Sequence, residues 1–372
     1  MNMVDFEGNK SDEELGGFDM ADFSDEYFTR SMFNHTEKIS LEEKYRKTID
    51  ANMESKSDEL IISNCKIDKL SDVVATMIWV TKLTIRSSEL KSIENLPPNL
   101  VELVVVNNDI PHLDGSMLPA TLQLLLWAGN STKTVVDLRE GITELIIKDN
   151  LITELCTVPS TVKKLFLTDN SDLELLPHIS EGCEKIDLNC SGITNIDRLP
   201  DSCTELNTCR CKIPIVNKLP ASLKIWKAFI SEIAAITCEW PLGLIEADLF
   251  KNDLSYVPDF PPFTETVDLE HNNLKTIPKF PPTVLNFNIR NNHLLSISDA
   301  FREEYSRSPN VLFDEPARRF STSHFMFNPG SGSDMMWRFA GNGPMQFAKR
   351  DKTLSNNKEN PHYIPLTRVF TV

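Results

Sequence analysis

Val267-Asp268-Leu269-Glu270-His271-Asn272-Asn273-Leu274-Lys275-Thr276-Ile277-Pro278 decides the fold of this chain. With Val267 counted as position zero, apolar residues fall at 0, +2, +7 and +10, and asparagine at +5. Alternation at 0 and +2 is strand spacing. The asparagine then turns the chain, and its amide can bond backbone groups that a curved stack of strands leaves unpaired. One such unit cannot bury its apolar face alone, so it has to stack on others like it.

The phase runs through the chain. Zero positions fall at Leu60, Leu83, Leu103, Leu125, Leu145, Leu165, Ile186, Leu206, Trp226, Ala247, Val267 and Phe287, twelve units with a mean period close to 20.6 residues. Position +2 is apolar in every unit except the eighth, where it is Thr208. Position +5 reads Cys65, Ser88, Asn108, Asn130, Asn150, Asn170, Ser191, Cys211, Ser231, Asn252, Asn272 and Asn292. Twenty residues leave no room for a full helix on the return side, and Pro258-Asp-Phe-Pro-Pro262 and Pro278-Lys-Phe-Pro-Pro282 favour extended, polyproline-like backbone there.

The units Leu254-Ser-Tyr-Val-Pro-Asp-Phe-Pro-Pro and Leu274-Lys-Thr-Ile-Pro-Lys-Phe-Pro-Pro resemble the short leucine-rich repeats of type III-secreted bacterial effectors. Those proteins also place a helix directly before an L-x-L-S-N-type first repeat, as Ser40 to Asn64 does here. The resemblance covers roughly Ser40 to Ile297. It implies a leucine-rich repeat solenoid with a parallel β-sheet on the concave face. Some of those effectors carry a ubiquitin-ligase domain with a catalytic cysteine; no cysteine follows Cys238 here, so that activity is not implied.

The domain reading is therefore an acidic disordered tail at 1–38, a capping helix at 39–56, twelve repeats at 57–298, a C-terminal cap at 299–315 and an extended or disordered tail at 316–372. The first tail mixes Asp and Glu with Phe6, Phe18, Phe23, Tyr27, Phe28 and Phe33, which suits a solvated disordered tail or a segment that orders on a partner. Ser40-Leu41-Glu42-Glu43 fits a capping box, with Leu41, Tyr45, Ile49 and Met53 at helical spacing. Asp299 would start a short helix at 300–305, and Pro309 to Asp314 could add a closing strand. The last tail is mildly basic, with scattered aromatics.

A formal charge of −16 argues against nucleic acid as the main partner. No run approaches the ~18 apolar residues of a membrane helix, and Met1 to Asp25 lacks the layout of a secretory signal. Eight cysteines without a stapling pattern point to reduced thiols, hence to the cytoplasm, with the nucleus also open. The sequons at Asn34 and Asn130 agree, since Asn130 is a ladder residue that could not carry a glycan.

Function should lie between the packing positions. Residues at +1 and +3 face away from the core. In the N-terminal half they form an apolar ridge: Val104, Val106, Leu126, Ile146 and Phe166. Strands ~4.8 Å apart bring these side chains together, and an exposed apolar patch of this kind marks a protein interface, or else is covered by a tail that folds back. In the C-terminal half, Phe229 and Phe250 lie beside Asp248, Asp268 and Glu270. That mixture fits a basic, aromatic-containing peptide, or else a hydrated acidic surface.

No Walker, G-x-S-x-G, H-E-x-x-H or C-x-x-C motif occurs, and no cofactor or metal is expected. Cys209 at +3 is expected to face out and Cys211 inward, which defeats a metal half-site; Cys183 and Cys203 should neighbour each other in the core. Arg318-Arg319-Phe320-Ser321, Lys358-Glu359-Asn360 and the terminal Phe370-Thr371-Val372 match a basophilic kinase substrate, a degron and a PDZ ligand. The sequence is read as a non-enzymatic interaction scaffold. A structural component of a large, even viral, assembly and a recruiting subunit of a kinase, phosphatase or ubiquitin ligase are the alternatives.

Overall fold

The computed structural model describes residues 40–298, 301, 310–314, 335–338 and 346–349. The first tail, most of the C-terminal cap and the three short motifs of the last tail lie outside them. A helix, Leu41–Ser55, precedes thirteen parallel strands in a single sheet, stacked in chain order. Each zero position lies opposite the next, from Leu60 opposite Leu83 to Val267 opposite Phe287. Val311–Leu312 supplies the thirteenth strand, with Val311 opposite Phe287.

The helix packs along the first strand. Lys44 Nζ donates to the Ser63 carbonyl (2.7 Å), and Asn52 Nδ2 donates to that of Glu59 (2.8 Å). Ile49 is buried in the core, whereas Leu41, expected on the packing face, is exposed because it precedes the first contact with the strand.

All zero and +2 side chains are buried, Thr208 included. Thr208 is polar because the indole of Trp226, at the zero position of the next repeat, needs an acceptor: Nε1 donates to Thr208 Oγ1 at 3.1 Å. On the return side, Trp240, Phe260 and Phe280 stack across successive turns (4.9 and 5.3 Å between centroids), so the proline-rich returns enclose an aromatic spine. Two short 3-10 turns, Val74–Thr76 and Gly115–Met117, also occur there. So do two small parallel sheets, one built from His112–Asp114, Thr134–Val136 and Glu154–Leu155, the other from Ile215–Val216 and Ala235–Ile236.

The asparagine ladder works as a bridge between turns. In each case below Nδ2 donates to the +2 carbonyl of the preceding repeat: Asn130 to Val105 (2.9 Å), Asn252 to Ala228 (2.7 Å), Asn272 to Leu249 (2.9 Å). Oδ1 accepts preceding-repeat N–H groups, such as Asn108 N to Asn130 (3.0 Å) and Ile233 N to Asn252 (3.0 Å). Where the next +5 residue is Cys or Ser and offers no amide oxygen, the +5 N–H turns back to its own +2 carbonyl, Ser191 N to Leu188 O (3.0 Å) and Cys211 N to Thr208 O (3.2 Å), whereas Ser231 N still donates to Asn252 Oδ1 (3.0 Å).

One regularity is invisible in residue type. Position +4 is left-handed in all twelve repeats, with φ between 47° and 60°, whether the residue is Gly129, Asn107, Asp149, Arg210 or Ile230. For the β-branched Ile230, at φ 57°, this is a strained conformation.

Candidate protein-interaction surface

The sheet changes character along its length. Strands in the first five repeats are five residues long, Glu59–Ser63, Lys82–Arg86, Glu102–Val106, Leu124–Ala128 and Glu144–Lys148. In repeats six to twelve they shrink to three, as in Lys185–Asp187 and Thr266–Asp268.

In the long-strand half the ridge residues do come together, but two of them are not exposed. Val104 and Leu126 are 7% and 4% accessible, and Ala128, at +3 beside them, is 5%. Side chains on adjoining five-residue strands shield one another, so Val104, Leu126 and Ala128 form an apolar cluster of their own, separate from the core. Val106, Leu124 and Ile146 pack against it half-buried. Phe166, opposite Ile146 on the next strand, is half-buried as well. Leu124 and Ala128 were not singled out from sequence. Leu124 was findable, since the −1 position of every other early repeat is charged (Glu59, Lys82, Glu102, Glu144, Lys164). Those charges pair along the sheet edge, Lys82 with Glu102 at 3.3 Å and Lys164 with Glu144 at 3.4 Å.

In the short-strand half the +1 side chains have structural work. Where a strand stops after +1, the N–H at +3 has no partner in the ladder. The +1 residue supplies one: Asp187 to Asn189 N (2.9 Å), Asn207 to Cys209 N (3.0 Å), Asp248 to Phe250 N (3.2 Å), Asp268 to Glu270 N (2.9 Å) and Asn288 to Arg290 N (3.3 Å). This is why the column changes from apolar residues to Asp and Asn. Glu270 is similarly engaged, accepting from Asn288 Nδ2 (2.7 Å) and Asn291 Nδ2 (3.0 Å) and pairing with Arg290 (3.3 Å). Burial pushes the Asp187 carboxyl above its usual range, against the hydrogen bonds from Asn189 and Asn207 that favour its ionised form. Phe229 and Phe250 are half-buried at +3, and Phe250 meets the edge of His271 at 5.5 Å.

Cys209 departs from expectation: it is fully buried, not outward. Cys183 and Cys203 are buried and feel one another electrostatically. Burial pushes both thiols up to about 12 and Cys211 up to about 11, so none carries a useful thiolate at neutral pH.

No family model and no curated protein matches the chain. Similar solved structures include the leucine-rich repeat domain of APL1B (16% identity, covering 66% of this chain and 78% of that one, TM-score 0.55). An internalin, inlF, from Listeria monocytogenes matches at 16% identity over 74% of this chain and 82% of that one, TM-score 0.51. The leucine-rich effector YopM from Yersinia pestis is 17% identical over 75% and 95%, TM-score 0.42. The fold is a leucine-rich repeat solenoid.

Proposed function

We propose that this chain is a non-enzymatic interaction scaffold that binds a protein partner on its concave face, through the ridge of Val104, Val106, Leu124, Leu126, Ile146 and Phe166. The observation that carries this reading is the second apolar cluster, which sits on the outward side of the sheet and contributes nothing to the core. Apolar residues clustered on a solenoid's outward strand face, apart from the core, point to recognition. The buried, high-pKa thiols add no nucleophile to set against it.

The Asx turns alter the reading of the C-terminal half. Asp248, Asp268 and Glu270 are held by local hydrogen bonds, so a basic, aromatic-containing peptide would meet a rigid acidic strip flanked by Phe229 and Phe250. This half is assigned a secondary role, in orienting the partner.

The test is co-purification with two variants whose fold is checked by circular dichroism. Val106→Glu plus Ile146→Glu should strip partners from the chain. Leu175→Glu, at an exposed return-side residue, should leave them. Identical partner sets for both variants and wild type would remove the ridge from consideration.

A further inference from the structure

We propose that the ridge is occupied within the same chain by the hairpin formed from Met335–Arg338 and Gln346–Lys349, making the last tail a built-in competitor for the partner site. This rests on the reading of the ridge as a recognition surface and names what regulates it.

The first observation is the hairpin itself. Its two strands pair antiparallel, with Trp337 opposite Phe347 and Met336 opposite Ala348. A two-stranded ribbon of four residues per strand is marginal in water at best and needs an apolar surface to pack on. The ridge is such a surface.

The second is where the tail leaves the solenoid. Asp314 follows the thirteenth strand at the level of the +3 column, and its Oδ2 accepts from Asn291 N at 2.6 Å. The tail therefore begins at the last strand of the sheet. From Asp314 to Met335 is 21 residues, about 70 Å when extended. From the thirteenth strand to Leu124–Ala128 is nine strand steps, about 43 Å. The hairpin can reach the ridge with slack to spare.

The third is charge. Residues 316–372 carry eight Arg and Lys against three Asp and Glu, a net +5 in a chain of −16. Between the thirteenth strand and the ridge lie repeats twelve to seven, where Asp187, Glu246, Asp248, Asp268 and Glu270 outnumber the cations Lys185, Lys227 and Arg290. Arg318 and Arg319 precede the hairpin, and the other six cations lie within it or beyond it, Arg338, Lys349, Arg350 and Lys352 among them. The tail as a whole is opposite in sign to the acidic half of the face.

The test uses the full chain with benzoylphenylalanine placed at Lys148 or Thr84, polar half-buried positions bordering the ridge. Photolysis of a mixture of light and isotopically heavy chains, followed by peptide mapping, separates cis from trans contacts. The expected products join these positions to peptides from 335–349 of the same isotopic type. Mixed-type products would assign the ridge to a second copy. Products with 1–39, with peptides holding the exposed Leu242 and Phe263, or none at all would equally overturn the proposal. Tryptophan emission gives a second readout, because four of the five tryptophans (Trp79, Trp127, Trp226, Trp240) lie in the solenoid. The emission lost in Trp337→Phe should be shielded from acrylamide in wild type and quenched severalfold more in Ile146→Glu; equal quenching in the two backgrounds contradicts docking. If cross-links fail while ridge variants still lose their partners, only cis occupancy falls. If cross-links form while partners are unaffected, the scaffold reading falls instead.

Discussion

Asn130→Ala measures what the ladder contributes. Asn130 is fully buried, donates to Val105 O at 2.9 Å and accepts from Asn108 N at 3.0 Å. Alanine leaves both backbone groups in the interior without that partner, at about 1–3 kcal/mol each, so a loss of about 3 kcal/mol is expected. Stacked repeats need not unfold in one step. The assay is therefore urea unfolding combined with hydrogen exchange, which should show the loosening centred on repeats three to five. Asn130→Ser should fall in between, because Ser231 holds the same carbonyl at the equivalent position, donating to Thr208 O at 2.6 Å. A loss below about 1 kcal/mol, the range of an ordinary surface substitution, would refute the bridging account.

Three further outcomes are expected. Ile230→Asn should stabilise the protein by about 0.5–1 kcal/mol in a thermal melt, since asparagine accepts the left-handed backbone that isoleucine resists. Phe260→Ala, which removes the middle ring of the aromatic spine, should cost about 3–5 kcal/mol in urea unfolding. Glu140 accepts Ser160 N, Thr161 N and Ser160 Oγ at 3.0–3.1 Å, which together hold its carboxyl below the usual range. A lowered folded-state pKa gives stability that is present above the unfolded pKa and lost as pH falls through the folded one. Glu140→Gln should therefore melt below wild type at pH 7, and the two should converge as pH drops below about 4.

The packing scheme was legible in the sequence because burial tolerates few residue types. Leu, Ile, Val, Trp, Ala and Phe at the zero positions, with Asn at +5, fixed the register of every turn. The left-handed +4 column was harder to see, because backbone geometry set by a stacked neighbour overrides side-chain preference. Asn64, Asn107, Gly129, Asp149, Asp169 and Asn291 hint at it; Arg210 and Ile230 hide it. The concave face was read by the direction of side chains alone. That located the ridge but missed its mutual burial, and it missed that Asp187, Asp248 and Asp268 are turn formers as well as charges. Cys209 was misplaced for a related reason: the three-residue strand of repeat eight ends before +3, so strand alternation no longer applies there.

The central claim is that recognition resides in repeats three to six of the concave face. With one captured partner purified, titration against wild type, Ile146→Glu and Leu175→Glu decides it. Replacing a half-buried aliphatic anchor with a carboxylate that must be desolvated should weaken binding at least about tenfold, or roughly 1.4 kcal/mol, while Leu175→Glu should bind as wild type does. Equal affinities for all three, or equal losses for both variants, would contradict the account.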